Sequence, residues 1–72
     1  MRRVILDALR AKYEAEIAEA DATANIYLEN SVGIGEHPQH INEVNKQIEK
    51  IANAKEKIDV LEEFEPERGA VL

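Results

Sequence analysis

SVGIGEHPQH, residues 31–40, is the only internal stretch of this chain that does not read as helix. That single interruption constrains the fold more than anything else, because neither Gly nor Pro, the strongest helix breakers, occurs before Gly33 or between Pro38 and Pro66. On the N-terminal side, Leu6, Leu9, Tyr13, Ile17, Ala20, Ala24, Tyr27 and Leu28 recur at helical spacing and form one apolar face. On the C-terminal side, Ile41, Val44, Ile48, Ile51, Ala54, Ile58, Leu61 and Phe64 do the same. Pro38 suits the first turn of the second helix, with Glu36 or His37 in the capping position, and Pro66 marks its end.

Two rods of roughly 40 Å, at 1.5 Å per residue, joined by a short loop are expected to fold back on each other. The expected fold is all-α, a single domain over 1–72. It is an antiparallel helical hairpin (helix about 3–29, loop 30–37, helix about 38–65, tail 66–72) assembling into a helical bundle. The tail has no helical pattern and is expected to be an extended or mobile end, with Val71 and Leu72 able to dock on a neighbour. A weak likeness between 17–29 and 51–63 reflects shared amphipathic composition rather than a repeat.

Charge placement favours the hairpin over one continuous rod. Arg2, Arg3 and Arg10 open the first helix, and Glu62, Glu63, Glu65 and Glu67 close the second. Each cluster has the wrong sign for its own helix dipole but faces its opposite once the ends meet. A second stripe on the first helix, Ala8, Ala11, Ala15, Ala18 and Ala22, has the alternating spacing of a coiled-coil seam. It is either a close-packed second face or alanine filling solvent positions as a good helix former. Because two helices cannot cover both faces together with Ile5, Ile26 and Val60, a homo-oligomer is expected, most simply a dimer of hairpins.

Composition narrows the function classes. Nine Lys and Arg against fifteen Asp and Glu leave a net charge of −6, which disfavours nucleic-acid polymers and anionic membranes as partners. There is no Cys, so disulfides, thiolate chemistry and cysteine zinc sites are all absent. No apolar run reaches the length of a membrane span or a signal-peptide core, and the cytoplasm is the expected place. Glu36, His37 and His40 lie close in sequence, but with no other His and no Cys to complete a ligand set, no metal is expected. Ser31 has no base fixed beside it, and neither His follows a Glu at the spacing of a di-iron site, so no catalytic residues and no cofactor are expected.

Residues 26–63, with VGIGEHP as their distinctive part, resemble a group of very short proteins encoded by tailed bacteriophages. The shared features are a long helix, an N-x-VGIGEHP-type loop and a second helix ending in a DVLEE-like segment. In size and architecture the chain is also similar to phage sponge proteins, oligomeric hairpins that sequester the cyclic-nucleotide signals of bacterial immunity. The resemblance implies a viral protein acting in the host cytoplasm.

Two functions are therefore expected as alternatives. One is a non-enzymatic binding protein in which Gly33, Gly35, Glu36, His37 and His40, with Tyr27 as a stacking ring, hold a small cyclic nucleotide. Glycine amides ahead of a helix N-terminus can contact an anion, although no Lys or Arg lies between Lys12 and Lys46. A neighbouring copy's Arg2, Arg3 or Arg10 would then supply the charge. The other is a structural or protein–protein interaction role, such as a minor virion component or a bundle that binds a phage or host protein through the alanine face.

Overall fold

In a computed structural model, which describes residues 1–29 and 39–65, the chain is an all-α helical hairpin. Helix α1 spans Arg2–Glu29 and helix α2 spans Gln39–Glu62, packed along one another in a body 52 × 21 × 15 Å. Among the described residues, no helix is long and apolar enough to cross a membrane. The expected loop 30–37, Pro38 and the tail 66–72 lie outside the described residues.

Helix α2 stops three residues before the expected Glu65. Its last backbone bonds tighten to the three-residue pattern: Glu63 N–H to Val60 O (3.0 Å), Phe64 N–H to Leu61 O (2.9 Å) and Glu65 N–H to Glu62 O (3.2 Å). The cause is local, since a residue preceding proline is pushed out of the helical region and the turn before it narrows. The Arg2 guanidinium reaches across from α1 and donates to the Phe64 carbonyl, one of the oxygens that the end of α2 leaves without an intrahelical donor.

The seam between the helices differs from the expected one. The seam on α2 runs through the half-buried or buried His40, Val44, Gln47, Ile51, Ala54, Ile58 and Leu61, an unbroken alternation of steps of four and three, with Glu43 and Glu62 half-buried beside it. The expected stripe contained successive steps of three, and a stripe averaging below 3.5 residues winds away from its partner. Ile41 and Ile48 are therefore exposed (75% and 56%), as is Phe64 (54%), and Gln47 is buried in their place. On α1 the matching seam is Leu6, Arg10, Tyr13, Ile17, Ala20, Ala24 and Tyr27, and Leu28 is exposed rather than part of it.

Among the described residues, the buried apolar ones are Leu6, Ala20, Ala24, Ala54 and Leu61. Ala20 and Ala54, 2% and 1% exposed, let the helices approach closely. The outer stripe of Ala8, Ala11, Ala15, Ala18 and Ala22 faces solvent in the single chain.

The charged ends meet as their signs require. Glu65 accepts from Arg3 at 3.0 Å and from Arg10 at 2.7 Å, and Arg10 also lies 3.7 Å from Glu62. Glu63 is exposed at the surface, and Glu67 lies outside the described residues. Hydrogen bonds from Arg3 first, and from Arg10, hold the Glu65 carboxyl below its ordinary value, and Glu65 in turn raises the Arg3 guanidinium. A carboxyl whose folded pKa is lowered stabilises the fold above its unfolded pKa and loses that contribution as pH falls through the folded one. Titration of Glu65 followed by NMR is expected to show a midpoint below that of an ordinary glutamate. Arg3→Ala should raise it more than Arg10→Ala, and a midpoint unmoved by either substitution would count against the clamp.

Candidate functional site

Of the six residues expected to form a site, Gly33, Gly35, Glu36 and His37 lie outside the described residues. The other two, Tyr27 and His40, are brought together. Tyr27 is the last seam residue of α1 and His40 the second residue of α2, so antiparallel pairing sets them at the same level. Their rings meet edge to face, with centroids 5.6 Å apart and planes at 65°, within the range favoured by aromatic quadrupoles. Tyr27 and His40 are both half-buried.

Beside this pair runs an open groove of about 380 Å³, lined by Tyr27, Leu28, His40, Ile41, Val44, Asn45 and Ile48. Its size falls in the range of small-molecule sites, about 300–1,000 Å³, and its walls are mainly apolar with a polar amide in Asn45. Ile41 and Ile48 are one heptad apart and follow the seam residues His40 and Gln47, while Leu28 follows Tyr27. All three fall on the same flank of the seam. Sequence reasoning placed these three isoleucine and leucine side chains in the core and so missed them as site walls. The signal available was the pair of three-residue steps that takes Ile48 off the seam.

Among the described residues, no lysine or arginine lines this groove. The nearby Lys46 ammonium is engaged with Glu43 at 3.3 Å. Arg3 and Arg10 are held by Glu65 at the far end of the hairpin. The arrangement is suited to a flat, apolar or aromatic group and offers no described cation to an anion. Among the described residues there is no group of His, Cys, Asp or Glu arranged to hold a metal ion.

A second groove, about 450 Å³, lies at the terminal end between Leu6, Leu9, Tyr13, Val60, Leu61 and Phe64, with the Lys57 ammonium 5.5 Å from the Tyr13 ring centre. Leu9, Lys57 and Val60 each precede a seam residue, so this groove opens on the opposite flank from the first. No family model matches the chain, and no curated protein or solved structure shows significant similarity to it.

Proposed function

We propose that this protein is a small, non-enzymatic, oligomeric binding protein that captures a small molecule at the loop end of its hairpin, and that its ligand is a cyclic-nucleotide signal of the kind used in anti-phage immunity. The observation that carries the reading is the Tyr27–His40 pair bordering a groove of ligand size. Stacking on such rings tolerates any nucleobase and is worth about 1–3 kcal/mol per base. With no described cation in the groove, capture rests on the base and on apolar contact with Ile41 and Ile48 rather than on phosphate charge. The phage origin that the VGIGEHP segment suggests belongs to the same proposal.

The test is a thermal-shift panel of cyclic mono- and dinucleotides together with their parent nucleosides. A ligand at a hundredfold excess over its dissociation constant stabilises the folded state by about 2.7 kcal/mol. At roughly 4–8 °C per kcal/mol for a domain this size, the melting temperature rises by some 10 °C or more. Tyr27→Ala should abolish the shift. If no member of the panel moves the melting temperature at millimolar concentration, the ligand reading fails.

A second reading, a structural or protein–protein interaction role such as a minor virion component, is favoured by the exposed alanine stripe of α1. It predicts that mass spectrometry finds the protein in purified phage particles.

A further inference from the structure

The loop-end groove occupies one flank of the seam, and the other flank has a composition of its own. At the terminal end it carries Ile5, Leu9, Val60 and Phe64, of which Ile5, Val60 and Phe64 are largely exposed. Next along, its charges divide by helix. The α1 side presents Glu16 and Glu19, and the α2 side presents Lys50 and Lys57, the four lining one polar groove with Asn53. Lys46 continues the basic row towards the loop. Among the described residues, Glu16 is paired with Lys12 on its own helix, and Lys50 makes no salt bridge.

We propose that a second copy of the chain covers this flank, related by a two-fold axis parallel to the long axis of the hairpin. That axis lays α1 of one subunit against α2 of its partner. Ile5 and Leu9 then meet the partner's Val60 and the partner's Phe64, while Glu16 and Glu19 meet the partner's Lys57 and the partner's Lys50. The result is a four-helix bundle in which every neighbouring pair of helices is antiparallel.

Charge selects this arrangement over the others open to a second copy. An axis across the hairpin would set α2 on α2 and place the row of Lys46, Lys50 and Lys57 against its own copy. Pairing two α1 helices antiparallel through the alanine stripe would bring the acidic row Asp7, Glu14 and Asp21, which borders that stripe, against itself. Like charges so placed oppose association, and opposite charges select partner and orientation. The thin core supplies the need for a partner, since among the described residues only two of the five buried apolar ones are larger than alanine. The dimer leaves both loop-end grooves open on its outer sides, one per subunit.

This inference rests on the oligomer half of the reading above and not on the ligand. Light scattering should give twice the 8.1 kDa chain mass for the natural protein. Glu16→Lys with Glu19→Lys, and separately Lys50→Glu with Lys57→Glu, should each raise the dissociation constant at least ~10-fold and yield monomers. Mixed in equal amounts, the two variants should regain a 1:1 dimer, because one then offers basic rows on both helices and the other acidic rows. Val60→Glu, at an exposed helical position, should also give monomers that keep their helicity. Since the chain has no cysteine, spin labels on Glu63→Cys report the axis, with both labels expected at one end.

A natural protein of 8.1 kDa at high concentration would overturn the dimer and the oligomer reading together. A dimer that survives both charge reversals and Val60→Glu, or labels separated by nearly the 52 Å length, would overturn this face and axis alone. Failure of the mixed variants to pair would do the same.

Discussion

Leu61→Ala is expected to abolish cooperative folding of the hairpin near room temperature, or to leave only a shallow, low-temperature transition by far-ultraviolet circular dichroism. Leu61 is one of five buried apolar residues among those described, and the other four are Leu6 and three alanines. Truncating a buried leucine removes its transfer free energy and leaves a cavity, together about 2–5 kcal/mol. A core in a chain of this length supplies net stability of only about 3–5 kcal/mol. The loss is therefore comparable to the whole. Val4→Ala, at an exposed position of α1, should change stability by no more than about 0.5 kcal/mol. Equal effects at the two positions would mean that Leu61 does not anchor the seam.

Ala54→Leu is expected to be the next most damaging change, for the opposite reason. Ala54 and Ala20 are almost wholly buried, at 1% and 2% exposure, and no space is left for three added carbons. Overpacking of this kind costs about 1–3 kcal/mol, because the helices must separate or the side chain must leave its preferred rotamer. At roughly 4–8 °C per kcal/mol the melting temperature should fall by some 10 °C. Ala15→Leu, on the solvent-facing stripe, should leave it nearly unchanged. A comparable drop for Ala15→Leu would show that the stripe is covered in the assembled protein and would favour it over the Val60–Phe64 face as the contact surface.

The hairpin was legible because its signals are local and repeated. Helical periodicity runs without Gly or Pro on both sides of residues 31–40, and opposite charges sit at the two ends that must meet. The partnership of Arg3 and Arg10 with Glu65 followed from sign alone. The seam was less legible. Both Gln47 and Ile48 lie within one residue of the inner line of α2, and hydropathy assigns the place to isoleucine, whereas supercoil geometry assigns it to glutamine. The candidate site is legible only in part, since the sequence points to Tyr27 and His40 but its hydropathy pattern assigns Leu28, Ile41 and Ile48 to the core.

The sequence by itself determined what depends on near neighbours along the chain: two long helices, the place of their reversal, and an orientation in which the arginine end meets the glutamate end. Only the tertiary structure decided what depends on rotation of one helix against the other. A change of one residue in register turns a helix by roughly 100°, enough to move an isoleucine from core to groove wall. That rotation is set jointly by both helices. With Ala20, Ala54 and Gln47 buried, Ile41 and Ile48 lie outward beside the Tyr27–His40 pair, and Val60 and Phe64 are exposed on the opposite flank.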